Sequence, residues 1–231
     1  MKLKNKFIGI IVVLGVITFI GGNNPLVGLS NHKESYLNKT NANVSANSSK
    51  YLMLVNKKNP LGLNYEPENL VKPNVKFLSD TSDESRYMDE TAAKALEELF
   101  QVAKSENINL IGSSAYRSYK SQVKVLKDEI NSKGVDYANK YVAKPGKSEH
   151  QSGLSIDVTN EARCFDKTSP EAKWLANNAH RFGFILRYPE GKEDITGYNY
   201  EPWHIRYVGK EAAKEIYNKG ITLEEYLKKI G

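Results

Sequence analysis

A single cysteine, Cys164, stands in 231 residues, so the chain has no internal disulfide and no set of cysteine metal ligands. Its distance from the N-terminal apolar run also excludes a lipoprotein cysteine there, and with no thiol partner Cys164 is read as structural. Histidine is scarce as well: His32, His150, His180 and His204 are the only four. An excess of charge of either sign is lacking from the body of the chain. Residues 1–50 hold six Lys and one Glu, whereas residues 51–231 hold 27 basic and 26 acidic residues. The net charge of +6 is therefore largely an N-terminal property. A basic domain that grips phosphates is excluded, and no nucleic-acid partner is expected. The 40% hydrophobic and 26% charged composition is that of a globular protein, and no internal repeat is present.

The N-terminus accounts for the excess charge. Lys2, Lys4 and Lys6 precede an uncharged stretch from Phe7 to Gly22, the layout of a secretory signal. No small-x-small cleavage site follows cleanly. The apolar run lengthens through Pro25 to Leu29, and residues 1–29 are read as a retained membrane anchor with the lysines in the cytoplasm, ahead of the alternative of a cleaved signal that leaves the protein secreted. Residues 30–50, rich in Asn, Ser and Lys, read as a flexible tether that includes His32. The folded domain, 51–231, is then extracytoplasmic.

Within it, Tyr51–Asn56 reads as a short strand, and Pro60, Pro67 and Pro73 predict irregular chain over 56–82. Leu96, Leu99, Phe100 and Ala103 recur at helical spacing within a helix expected over about 85–107. Ile108–Ser114 is a strand candidate. A helix with Tyr119, Val123, Leu126 and Ile130 on one face follows, ending near Gly134, and Val135–Val142 forms a further short helix. In Leu154–Thr159 apolar and polar residues alternate, which predicts a strand with Asp157 on its polar face. Ser169-Pro170 opens a helix to about Phe182, and Phe184–Tyr188 and Trp203–Val208 are strands. Helices Lys210–Asn218 and Thr222–Ile230 close the chain, the last opened by a Thr222-x-x-Glu225 capping box. This order predicts an α+β fold, a central and mostly antiparallel sheet flanked by helices.

The chemistry concentrates in Pro145–Asp157 and in Glu201-Pro202-Trp203-His204. Two imidazoles and a carboxylate, with a fourth position left to water, are what a catalytic zinc requires. His150, Asp157 and His204 can supply them, with Glu201 left over as a carboxylate able to move a proton. By spacing alone a chance coincidence of unrelated residues stays open. His180, beside Arg181 on an expected helix, reads as structural or superficial.

The wording is more specific than the spacing. SAYRSYKSQ, PGKSEHQSGLSIDV and ITGYNYEPWHIRYVG resemble the signature segments of the VanY-type D-alanyl-D-alanine carboxypeptidases, zinc peptidases grouped with the VanX dipeptidases and the LdcB-type L,D-carboxypeptidases. The resemblance runs from about Leu52 to the C-terminal GITLEEYLKK. It implies a zinc site on the sheet face with one Zn2+ per chain held by His150, Asp157 and His204, with Glu201 as base. It implies that Arg117 holds the substrate and polarises its carbonyl, and that Ser148 and Gln122 bind substrate. Trp203 and Tyr188 are candidates for the pocket wall or for the core. The activity implied is release of the terminal D-alanine from peptidoglycan stem peptides or their lipid-linked precursors. D,D specificity stands ahead of L,D specificity, and a cell-wall-binding module without catalysis is the reading of another class.

Overall fold

The structure is a computed structural model and describes residues 50–231. The expected anchor and most of the expected tether lie outside the described residues. Among the described residues no helix is long and apolar enough to cross a membrane.

The chain runs β1 (Leu70–Val71), β2 (Met88–Asp89), α1 (Glu90–Ser105), β3 (Ile111–Ser114), α2 (Tyr119–Lys133), α3 (Val135–Tyr141) and β4 (Ser155–Thr159). It continues through α4 (Pro170–Asn178), β5 (Phe184–Leu186), α5 (Glu193–Thr196), β6 (His204–Tyr207), α6 (Lys210–Lys219) and α7 (Leu223–Ile230). Strands β3, β4, β6 and β5 form, in that order, a sheet whose neighbours are all antiparallel. With helices packed around it, this is the α+β architecture expected.

The sheet rests on α1. Ala92, Leu96, Leu99 and Ala103 come to one face of that helix at helical spacing and pack with Leu154, Ile156, Val158, Phe184 and Ile205. A second cluster joins Ile185 and Val208 to Ala213, Ile216, Leu223 and Tyr226 of the last two helices. The caps read from sequence are present: Ser169 Oγ accepts from Ala172 N, and Thr222 and Glu225 form the reciprocal box. Each such cap is worth about 1 kcal/mol.

Several elements differ from expectation. The first helix begins at Glu90, because Asp89 is its cap and accepts from the backbone N–H of Thr91 and Ala92. Before it come a 3-10 turn, Glu84–Arg86, and the two-residue pair β1/β2, too short to leave a periodic signal. Tyr51–Asn56 is not a strand. Its apolar residues Leu52 and Leu54 pack on the second cluster, and the carbonyls of Tyr51 and Met53 accept from Arg206 Nη2 at 3.0 and 2.7 Å instead of joining a ladder. Along α2 the buried residue is Gln122, while Val123 is 46% exposed. The helix expected to reach Phe182 tightens into a 3-10 turn over Ala179–Phe182. The Cys164 thiol is exposed, and its loop is held through the backbone by Asn160, which accepts from Cys164 N and donates to its carbonyl.

Candidate metal centre and its pocket

Register sets the first two members of the site opposite each other. Asp157 of β4 pairs with His204 of β6, so their side chains share one face of the sheet. His150 arrives from the 3-10 turn Glu149–Ser152, which is closed by Gly153 at φ 70°. A Cβ there would lie 2.8 Å from Leu70 Cδ2, so both the backbone and the packing call for glycine.

One donor atom from each of His150, Asp157 and His204 lies within 4.8 Å of the others. The far nitrogens of both rings are engaged elsewhere. His150 Nδ1 is 2.6 Å from the Ala115 carbonyl oxygen and His204 Nε2 is 3.3 Å from Glu149 Oε2, both acceptors. With a cation bound, each ring keeps its proton on the outer nitrogen and offers the inner one as a ligand, His150 Nε2 3.3 Å from Asp157 Oδ2 and His204 Nδ1 2.9 Å from Asp157 Oδ1; without one, His204 donates to both carboxylates. Two imidazoles oriented by outer acceptors, plus one carboxylate, fit a zinc ion with an open fourth position.

Charge is arranged tightly around this trio. Burial pushes the Asp157 carboxyl up, but His150 and His204 outweigh it and hold the group well below the usual carboxylate range. Burial lowers His150, whereas His204 is raised to about 9, its burial overcome by the bonds to Asp157 and Glu149. Glu149 is fully buried. Its Oε1 accepts from Arg187 Nε and Arg206 Nη1, each at 2.7 Å, and those arginines hold its carboxyl down against the opposing effect of burial. Arg187 also grips Glu224 through two bonds of 2.9 and 2.7 Å. Two arginines and two glutamates thus form a buried network behind His204.

Glu201 precedes β6, buried, with its backbone N–H on the Tyr188 carbonyl. Its carboxylate has no hydrogen-bond partner among the described residues and lines the same cavity, of about 180 Å³, as the three donors. Burial pushes its carboxyl up to about 8, with His204 and Arg117 opposing. A carboxyl in that state can hold a proton near neutrality and give it up when a cation is near.

Arg117 sits on the loop between β3 and α2, where Ser118 caps the helix. A bulge in β3 between Gly112 and Ser114 aims Ser114 Oγ to accept from Arg117 Nη2 at 2.8 Å. Arg117 Nη1 donates to Gln122 Oε1 at 2.9 Å, and Gln122 Nε2 donates to the Ala143 carbonyl at 2.7 Å. Gln122 therefore holds the arginine with its amide oxygen, is itself anchored to Ala143 through its nitrogen, and lines the cavity. This explains why it is the buried residue of its helix. Ser148 lines the cavity. Tyr188 lies against the His204 ring, centroids 5.0 Å apart, and Trp203 both lines the cavity and packs on the core. His180 lies apart from the cavity, stacked on Tyr217 at 3.7 Å.

Sequence reasoning missed Glu149, Arg187, Arg206, Glu224 and Ser114. A signal for two of them existed: Arg187 and Arg206 interrupt the otherwise apolar strands FILRY and HIRYV, where an arginine needs a buried partner.

The family model described as VanY, D-alanyl-D-alanine carboxypeptidase, matches residues 85–210. A Bacillus subtilis protein, YodJ, whose name assigns it provisionally to the carboxypeptidases, is 45% identical over 80% of this chain and 69% of its own length. The solved structure of the LdcB LD-carboxypeptidase is similar at 45% identity with a TM-score of 0.70, covering 76% of this chain and 84% of that one. The vancomycin-resistance D,D-pentapeptidase VanY, solved with Zn(II), is similar at 37% identity with a TM-score of 0.65, covering 77% of this chain and 99% of that one.

Proposed function

This chain belongs to the VanY family of D-alanyl-D-alanine carboxypeptidases and is a metallopeptidase, and from that premise we propose that it releases the C-terminal D-alanine of peptidoglycan stem peptides or their precursors. The observation that carries the reading is the convergence of His150, Asp157 and His204 in one cavity with Glu201 and Arg117.

In this reading His150 Nε2, one Asp157 oxygen and His204 Nδ1 hold one zinc ion per chain. Zinc bound there supplies a Lewis acid that polarises a carbonyl and lowers the pKa of water. The Glu201 carboxylate takes a proton from the water that adds to the scissile carbonyl carbon. As the C–N bond breaks, the same carboxyl returns a proton to the departing D-alanine amine. The Arg117 guanidinium, held by Ser114 and Gln122, offers its remaining donors to the oxygen that gains charge or to the terminal carboxylate. Tyr188 and Trp203 wall the site.

Two configurations of the penultimate residue suit this chemistry. D,D specificity is supported by the family model and by likeness to the VanY pentapeptidase. L,D specificity has a specific observation behind it, the higher identity and TM-score to LdcB. On that ground the tetrapeptide stem is placed first and the pentapeptide second. Incubation of the purified protein with both stems, followed by mass spectrometry, decides between them. Loss of D-alanine from neither would remove the proposal, and a binding module would retain the peptides uncut. The expected anchor, residues 1–29, completes the proposal by holding the domain outside the membrane, where the stems are.

A further inference from the structure

Beside the catalytic cavity lies a second one of about 270 Å³, lined by Lys57, Asn139, Val142, Lys144, Lys147 and Tyr198. Val142 and Tyr198 line the catalytic cavity as well, so the two share a wall. Three lysines converge here from two parts of the chain. Lys147 Nζ donates to the Lys57 carbonyl at 2.6 Å, fixing the loop before His150 to the N-terminal segment. Lys57 Nζ donates to the Asn139 carbonyl at 3.1 Å and sits 4.5 Å from the centre of the Tyr198 ring. Among the described residues none of the three is paired with a carboxylate, whereas Lys72, Lys94 and Lys167 elsewhere on the surface sit on Asp83, Glu90 and Glu190. In a domain whose charges nearly balance, three ammonium groups left together repel one another, and an entering anion relieves that repulsion. Burial and then the neighbouring Lys144 charge lower the Lys57 ammonium, the same repulsion seen in its proton affinity.

We propose that Lys57, Lys144 and Lys147 form a cationic subsite, continuous with the catalytic cavity, for an anionic group carried by the substrate upstream of the scissile bond. The inference rests on the carboxypeptidase reading above. A peptide whose last residue lies near Arg117 and Glu201 has its preceding residues leaving the cavity, and the wall of Val142 and Tyr198 leads them to the lysines. The anion is either a side-chain or α-carboxylate of the stem or the diphosphate of a linked precursor.

The test uses stem peptides identical except for one upstream group, carboxylate or carboxamide, and a third in which the amide peptide carries a diphosphate. Turnover by the wild type tests the carboxypeptidase reading. Affinity of the non-cleaving Glu201→Gln protein for the same peptides, by calorimetry, tests the subsite independently of turnover. At low salt the carboxylate or the diphosphate peptide should bind about three- to tenfold tighter than the amide, an advantage that shrinks at high salt. Adding Lys144→Gln should reduce the advantage and Lys144→Glu should abolish it, while Lys214→Gln on α6 should leave it intact. Preference for the carboxylate peptide assigns the anion to the stem, and preference for the diphosphate peptide alone assigns it to the precursor. Equal affinity for all three peptides, or an advantage that survives Lys144→Glu, overturns the subsite.

Discussion

Replacing Glu149 by Gln is the most demanding perturbation of this site, because one oxygen pair serves both the fold and His204. The side chain is fully buried, Oε1 holds Arg187 and Arg206, and Oε2 faces His204 Nε2. Removing the charge leaves two buried guanidinium groups opposed by Glu224 alone. Losing one partner of a buried ion pair costs about 3–5 kcal/mol, and Gln belongs at the lower end because its carbonyl oxygen can still accept from both arginines. For a domain of this size about 3 kcal/mol lowers the melting temperature by about 6–12 °C. The second consequence is chemical. If the Gln carbonyl stays on the arginines, its amide NH2 faces His204 Nε2, which must then accept rather than donate. The ring proton moves to Nδ1, the nitrogen turned toward Asp157, and metal affinity falls about 10–100-fold. Thermal melts of the metal-free protein and zinc titration against a competing chelator read the two effects separately. A melting temperature within about 2 °C of wild type, with unchanged zinc affinity, would refute the reasoning.

What the sequence revealed and concealed follows from the range of the interactions involved. Ser169-Pro170 and Thr222-x-x-Glu225 act within one helical turn, so their caps could be read directly. The alternation in β4 sets Asp157 on the face opposite Ile156 and Val158, and the wording around His150 and His204 marked the residues that converge on it. Where a tertiary partner decides, local pattern misled. The apolar run beginning at Tyr51 has strand composition, yet Arg206 takes its carbonyls. The face predicted for α2 carried Val123, but the side of the helix that meets Arg117 carries Gln122, so Gln122 turns inward and Val123 outward. The Glu149, Arg187, Arg206 and Glu224 network draws on residues up to 75 positions apart, and no spacing rule connects them.

The remaining expectations concern the site directly. His150→Ala and His204→Ala should each lose zinc and activity together, measured by elemental analysis and D-alanine release, and a strong chelator should abolish wild-type activity until zinc is restored. Glu201→Ala should retain zinc and fold while turnover falls about 100-fold or more, and loss of zinc in a folded Glu201→Ala protein would exchange its role for that of a ligand. Arg117 is the residue for which several roles compete. Its two terminal nitrogens bridge Ser114 and Gln122, a geometry of two separate donors in one plane that a single ammonium nitrogen does not reproduce. Were it only to hold the terminal carboxylate in the ground state, Arg117→Ala would raise KM and leave kcat near wild type. Directed instead at charge that develops on the scissile carbonyl oxygen, it should lower kcat and kcat/KM alike, by about 10²–10³ as for loss of an oxyanion donor. We expect the second outcome, with Arg117→Lys recovering only part of the loss because it keeps the charge and not the fork. Zinc content should be unchanged in both variants, since the Arg117 side chain bonds Ser114 and Gln122 and none of the three donor atoms, and its backbone N–H to the His150 carbonyl is kept. Wild-type kinetics in a folded Arg117→Ala protein would remove the arginine from the mechanism and leave it as a clasp between β3 and α2.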